Sequence, residues 1–162
     1  MKNFESTDKE YQPSDDVAIS LGVDRLLCES TQILQEAMRT VRDPQIRRAI
    51  KDTMEHREAI HQQLQSTLES SARLEKEPLQ EVEGTSGDDC CYGHLRRNAP
   101  TLSEKDLLQE LQKADRSAAG KLRQSVKAVS NSRLANRLAS AVARFQMSSD
   151  KLKTVLQSAI GH

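Results

Sequence analysis

The segment Glu58-Ala59-Ile60-His61 is the clearest candidate for chemistry in the sequence, because it places a carboxylate and an imidazole three positions apart. Residues three apart on a helix lie on one face, so both side chains could ligate the same ion. Helical proteins that bind two iron ions use this Glu-x-x-His spacing twice, with one further Glu from each of the other two helices. Glu58 and His61 are therefore candidate ligands for iron or another divalent metal.

Ionisable residues also enter the apolar stripes of three predicted helices near mid-length. The predicted interior polar cluster comprises Glu29, Arg57, Glu58, His61 and Asp115. Buried charges are unfavourable unless they are paired or bind a metal. Arg57 could form an ion pair with Asp115 or Glu29 that sets the helix register, or the groups could stay largely solvated. In a metal site, Glu36 could replace Glu29, and Glu110 could replace Asp115.

The fourth predicted helix does not complete a two-metal ligand set. Between Asn131 and His162 there is no Glu and no internal His, and Asp150 is the only acid. A reduced or single-metal site is what the remaining residues could form. No catalytic motif is complete, so no catalytic residue is assigned, and we expect a protein that is not an enzyme and has no resident cofactor.

A second candidate cluster, Cys90, Cys91 and His94, lies in a segment rich in glycine and acids. Zinc prefers thiolate and imidazole ligands, but adjacent cysteines seldom bind one ion well and no second Cys pair follows. A redox-labile cysteine pair is the alternative to a metal site, and the absence of any site is the third interpretation. The three cysteines do not form a disulfide framework, which indicates a reducing cytoplasm.

The apolar residues that must position these groups recur every three or four positions, which predicts helices. The predicted helices span residues of about 17–41, 44–73, 102–129 and 132–159. Asp43-Pro44 and Ser130-Asn131 supply short breaks with helix-capping chemistry, and Thr101 and Glu104 match a capping box. Residues 1–15 are predicted to be a disordered arm, the bundle occupies 16–162, and 74–100 form a long linker with a short helix near 90–97.

Composition also favours an all-α chain that does not cross a membrane. Aromatic residues make up 2% of the 162 residues, and the charged residues, 30% of the chain, sum to zero net charge. The balance hides two oppositely charged parts, because residues 1–100 carry a net −6 and residues 101–162 a net +6. With so few aromatic side chains to stack on bases, we do not expect nucleic-acid recognition.

Three motifs carry a resemblance to a known family. They are Ala37-x5-Asp43-Pro44-x-Ile46 followed by Arg57-x-x-Ile60-x-x-x-Leu64, the segment Tyr92-Gly93-His94-Leu95-Arg96-Arg97, and Leu107-Leu108 through Ala114-Asp115. Over roughly residues 18–158 the chain resembles the bacterial ferritin-like four-helix proteins of unknown function. The resemblance implies an antiparallel ferritin-like bundle that is often an oligomer, with no established activity. Asp115 stands where those proteins usually have Glu.

We therefore expect a cytoplasmic, non-enzymatic helical bundle that acts through self-association or by binding a partner protein. The alternative is a ferritin-like metal-binding protein or oxidase with a reduced carboxylate and histidine site. Oppositely charged halves suit association, since complementary fields steer encounters between surfaces.

Overall fold

A computed structural model describes residues 13–75 and 91–160 of the chain, and the side chains of 15–67 and 91–158. The described residues contain helices and no β-strand, so the prediction of an all-α protein is confirmed for them. The elements are α1 (Pro13–Thr40), α2 (Pro44–Glu75), α3 (Gly93–Asn98), a 3-10 turn (Ala99–Thr101), α4 (Glu104–Ala128) and α5 (Ser132–Ile160).

Helix α1 begins at Pro13, earlier than the predicted start near residue 17. Proline suits a first helical position, and Asp15 and Asp16 in the first turn complement the positive end of the helix dipole. The rest of the predicted N-terminal arm lies outside the described residues. So do residues 76–90 of the predicted linker, whereas the part from Cys91 onward forms α3 and the 3-10 turn.

The four long helices contact one another in a closed ring: α1 packs on α2, α2 on α5, α5 on α4, and α4 on α1. The short helix α3 packs on α1 and α4. Between the long helices lies one apolar core, whose fully buried members include Ile33, Ile50, Leu111, Leu138 and Phe145. None of the helices in 13–75 and 91–160 is long and apolar enough to cross a bilayer.

The break between α1 and α2 is held by side chains that satisfy the free backbone groups of both helix ends. The Asp43 carboxylate accepts hydrogen bonds from the amides of Gln45, at 2.8 Å, and Ile46, at 3.3 Å, and so caps α2. The Arg47 guanidinium donates to the Val41 carbonyl at 2.8 Å, at the end of α1. At the predicted break, the capping of α2 is therefore provided by the Asp43 carboxylate.

Helix α4 is capped at a different residue from the predicted one. The Thr101 hydroxyl donates to the Asn98 carbonyl at 2.8 Å, within the 3-10 turn. Ser103 is the N-cap, and its hydroxyl accepts from the Asp106 amide at 3.1 Å. The capping box predicted at Thr101 and Glu104 is therefore wrong by two residues, because the 3-10 turn delays the start of the helix.

The break between α4 and α5 is held by a residue from the other end of the chain. Asp16, only 1% exposed, accepts from the amides of Ser130 and Asn131, each at 2.9 Å. The Asn131 side chain in turn accepts from the Leu134 amide at 2.9 Å and caps α5. A carboxylate beside a helix N-terminus is also favoured by the helix dipole. Asp16 therefore joins the first turn of α1 to the start of α5.

We expect Asp16→Ala to lower the free energy of unfolding by about 2 kcal/mol, because it removes a buried carboxylate that accepts hydrogen bonds from two backbone amides at the start of α5. Asp15→Ala is the matched control, since its neighbouring carboxylate is exposed and should change stability by less than about 0.5 kcal/mol. Urea unfolding followed by circular dichroism measures both. Equal losses for the two variants would contradict the assigned role of Asp16.

Candidate functional site

The interior polar site is built from four helical regions that meet in the core. Arg57 lies on the buried stripe of α2, between the buried residues Ile50 and Ile60. Asp115 lies on α4, directly after the buried Ala114. Tyr92 immediately precedes α3, and α5 contributes a pair of adjacent serines, Ser148 and Ser149. Helical periodicity alone thus carries Arg57 inward.

Arg57 and Asp115 form a two-pronged ion pair. Arg57 Nη1 donates to Asp115 Oδ1 at 3.1 Å, and Nη2 donates to Oδ2 at 2.8 Å. The Arg57 side chain is 0% exposed and that of Asp115 is 6% exposed. Such parallel pairing is the strongest geometry available to a guanidinium and a carboxylate. It is needed here because removing both charges from water is costly.

Two further donors complete the environment of Asp115. The Tyr92 hydroxyl donates to Oδ1 at 2.5 Å, and the Ser149 hydroxyl donates to Oδ2 at 3.1 Å. Each carboxylate oxygen thereby accepts two hydrogen bonds, which fills the roughly four acceptor positions of a carboxylate. Asp115 has no acceptor capacity left for another ligand in this arrangement.

The Arg57 guanidinium makes further contacts with α5. Its Nε donates to Ser148 Oγ at 3.0 Å, and the Ser148 hydroxyl donates onward to the Phe145 carbonyl at 2.7 Å. The Phe145 ring lies beneath the guanidinium, with its centroid 4.1 Å from Cζ. A cation over an aromatic face is attracted by the ring quadrupole. The charge is therefore enclosed by α2, α4 and α5 together.

These contacts hold the network in one protonation state. Burial alone would lower the pKa of Arg57, but the attraction of Asp115 and its hydrogen bonds outweigh burial and raise it. Burial raises the pKa of Tyr92 well above its usual value of 10.0, and the negative charge of Asp115 raises it further. Arg57 is thus cationic and Tyr92 a neutral hydrogen-bond donor at neutral pH.

Because its donors and acceptors are already paired with one another, this network is poorly suited to binding a metal or transferring a proton. A divalent ion at Asp115 would have to displace the guanidinium or sit beside it, and two cations a few ångströms apart repel strongly in a core. Tyr92 is buried and its proton is bound more firmly than usual, so it is a poor proton donor in a reaction. The geometry therefore supports a structural task, which is holding α2, α4, α5 and the segment before α3 in register.

The structure brings Arg57 and Asp115 together but separates them from other predicted members of the cluster. Glu58 is exposed, because one helical step turns its side chain about 100° away from Arg57. Glu29 is half-buried on α1. The two alternative acids lie in surface pairs: Glu36 with Arg39 at 3.5 Å, and Glu110 with Lys113 at 3.3 Å.

His61 faces α1 rather than Glu58. Its Nε2 atom lies 2.7 Å from Asp24 Oδ1, an ion-pair distance, although the two groups are not aligned as a hydrogen bond. Both atoms are buried, and small side-chain rotations would align them. One turn before Asp24, the buried Ser20 hydroxyl has no hydrogen-bond partner among the described residues. The described residues contain no group of three His, Cys, Asp or Glu side chains that could hold a metal.

The predicted linker cluster is only partly described. Cys90 lies outside the described residues, Cys91 has a half-buried free thiol, and the His94 side chain is exposed on α3. Asn98 donates to the His94 carbonyl at 3.0 Å, which belongs to the turn of α3. The redox or metal site at these residues stays a prediction.

Sequence reasoning missed several residues that complete the interior network. Neither Tyr92 nor the serines Ser148 and Ser149 belong to the predicted interior cluster. A usable signal existed for the serines: they replace apolar residues on the α5 stripe between Phe145 and Leu152. Asp24, the neighbour of His61, offered no such signal, because acids are common on helix surfaces.

We expect Tyr92→Phe to lower the free energy of unfolding by about 2 kcal/mol, since it removes a hydrogen bond to a charged acceptor. It should also change the alkaline pH dependence. Because the pKa of Tyr92 is raised in the folded protein, its contribution is complete below about pH 10 and is lost as pH rises through the folded pKa.

Above about pH 10 the wild-type stability should therefore fall by up to about 1.4 kcal/mol per pH unit more steeply than that of Tyr92→Phe. Urea unfolding across alkaline pH measures the difference. Identical slopes for the two proteins would show that Tyr92 is not held neutral by this network.

The comparisons with known proteins gave no match to interpret this network against. No family model matches the chain, and neither a curated protein nor a solved structure matches it. The ferritin-like resemblance accordingly stays a prediction from the motifs around Asp43, Arg57 and Tyr92.

Proposed function

We propose that this protein is a non-enzymatic helical bundle that acts by binding an acidic protein surface along α5. The observation that carries the proposal is a row of three cations on this helix, two of which are oriented by uncharged side chains of α2. The interior ion pair supports the same conclusion from within, because it holds the core in one arrangement and occupies the acceptor positions of Asp115.

The surface formed by α5 and the C-terminal half of α4 is strongly basic. Residues 116–158 contain a single acid, Asp150, against nine basic residues: Arg116, Lys121, Arg123, Lys127, Arg133, Arg137, Arg144, Lys151 and Lys153. Eight of the nine are exposed, and Arg144 is half-buried. A surface with one sign of charge attracts partners of the opposite sign and accelerates encounter.

Arg137, Arg144 and Lys151 form the row facing α2, each seven positions from the next. Seven residues are close to two helical turns, so the three side chains lie above one another. Arg137 Nη1 donates to the Thr67 hydroxyl at 3.5 Å, and Arg144 donates to the Gln63 side chain. Both acceptors are uncharged, so they orient the guanidinium groups without neutralising their positive charge.

The groove beside this row adds apolar surface, and its lining contains one acid and one lysine, Asp52 and Lys151. It has a volume of about 440 Å³ and is lined by residues that include Thr53, His56, Leu152 and Val155. The pKa of His56 is lowered, first by burial and then by the nearby cations Arg144, Lys151 and Arg57. A partner segment could place an apolar side chain here and carboxylates along the row.

Met147 supplies an exposed apolar contact on the same helix. It is 55% exposed, the one large hydrophobic side chain so exposed among those described. It lies three positions after Arg144 and four before Lys151, so it neighbours both cations. Flexible methionine side chains suit adaptable binding surfaces. An amphipathic acidic helix matches this combination better than a nucleic acid, which would gain little from an apolar centre.

The closed ring of four long helices supports an antiparallel four-helix bundle as the architecture of this scaffold. Its ferritin-like and bacterial character, its oligomeric state and its cytoplasmic location stay predictions. The alternative function, a metal-binding protein or oxidase using Glu58 and His61, also stays a prediction. No contact described above favours it, since Glu58 is exposed and His61 faces Asp24.

A synthetic amphipathic peptide of about 20 residues, with Glu at every seventh position beside Leu, tests the proposal. We expect it to bind the wild-type protein, and binding to weaken at least about tenfold in the variant Arg137→Glu/Arg144→Glu. Fluorescence anisotropy with labelled peptide measures the affinity. Binding should also weaken between about 0.05 and 0.5 M salt, where the screening length shortens.

Arg39→Glu/Arg48→Glu is the matched control, because it reverses two exposed arginines on α1 and α2 and should leave peptide binding unchanged. Light scattering of the protein alone shows whether a second copy is the partner. Equal weakening in both double variants, or tighter binding of a DNA duplex than of the peptide, would contradict the proposal.

A further inference from the structure

A second, smaller cavity lies between α4 and α5, on the opposite side of α5 from the row of Arg137 and Arg144. Its volume is about 120 Å³, and its lining includes the cations Arg116, Arg123 and Lys153 together with Gln112 and Gln146. A site of that volume holds several water molecules. It therefore has room for one small polar group and not for a large apolar ligand.

The charges around this cavity do not cancel. Two acids line it, Asp115 and Asp150. Asp115 is already paired with Arg57, and its oxygens accept from Tyr92 and Ser149 as well. Asp150 accepts from the Gln146 amide at 3.4 Å. Counting the three lining cations against Asp150, and Arg57 against Asp115, leaves a net charge of +2.

One of the three cations is fixed without being neutralised. Arg123 Nη1 donates to Gln146 Oε1 at 2.8 Å, from α4 across to α5. The acceptor is an uncharged amide, so the guanidinium is oriented at the cavity and keeps its full charge. A guanidinium held in this way loses less conformational freedom when it binds an anion, which favours binding.

We propose that this cavity binds a phosphate group, either as free phosphate or as the terminal phosphoryl group of a small molecule. The charge of the ligand is the reason for proposing a phosphate and not a carboxylate. A phosphate monoester carries about −1.5 to −2 at neutral pH, which matches the net +2 of the lining, whereas a carboxylate would leave about one positive charge uncompensated. Arginine also presents parallel donors that fit phosphate oxygens. This inference does not depend on the proposed partner binding, which uses the other side of α5.

Isothermal titration calorimetry of the full chain in chloride buffer tests the site, with inorganic phosphate, glycerol 3-phosphate and acetate as separate ligands. We expect saturable binding of phosphate with one site per chain, and no saturable binding of acetate. Binding of both phosphate compounds assigns the site to a terminal phosphoryl group. Binding of inorganic phosphate alone assigns it to the free ion, and either result supports the proposal.

Arg123→Gln and Lys153→Gln should each weaken phosphate binding at least about tenfold. Lys127→Gln and Arg133→Gln are the matched controls, because they remove exposed charges of the same helices that do not line the cavity. Unchanged circular dichroism shows that the variants fold. Non-saturable binding, equal binding of acetate, or the same loss in the control variants would overturn the proposal, since the anion would then respond only to the overall positive surface.

Discussion

The ion pair between Arg57 and Asp115 is the constraint on which the other features of this molecule depend. A guanidinium with no exposed surface has to find its partners inside the core: α4 supplies Asp115, and α5 supplies Ser148 and Phe145. Sliding any of these helices by one turn would leave a buried charge without its partner, a loss of several kcal/mol. Leucine contacts tolerate such a shift far more easily. The network therefore selects one register among the many that the apolar stripes alone would allow.

Because of this network, the charges inside the molecule have little effect on the charge of its surface. Asp115 accepts hydrogen bonds from Arg57, Tyr92 and Ser149. Its negative charge is therefore paired inside the core and offsets little of the positive charge on the surface of α4 and α5. The positive residues of that surface are oriented by uncharged neighbours such as Gln63 and Gln146. Asp16 acts at the far end of the molecule, where it joins the first turn of α1 to the break before α5. The charges of the chain thus serve two separate purposes. Those in the core fix the register of the helices, and those on the surface attract a partner of opposite charge.

Helical periodicity predicted the helices and most of the core, since Ile50, Arg57 and Ile60 fall on one stripe whatever the tertiary structure. It also placed Arg57 and Asp115 on buried faces. Because a buried charge needs a partner, an ion pair between them was one of the predicted interpretations. What the sequence could not supply was distance between elements. Tyr92 reaches Asp115 because α3 packs on α4, and His61 meets Asp24 because α1 packs on α2. Neither contact follows from spacing along one helix. The capping error at Thr101 has a similar cause, since the 3-10 turn that displaces the cap to Ser103 is set by local packing.

A double-mutant cycle on Arg57 and Asp115 tests the central claim most directly. The free energies of unfolding of the wild type, Arg57→Met, Asp115→Leu and the double variant would be measured by urea titration. Each single variant should lose about 3–5 kcal/mol, because it leaves one buried charge unpaired, and the double variant should lose clearly less than the sum of the two. Additive losses, or single variants that unfold like the wild type, would show that this ion pair does not hold the helices in register.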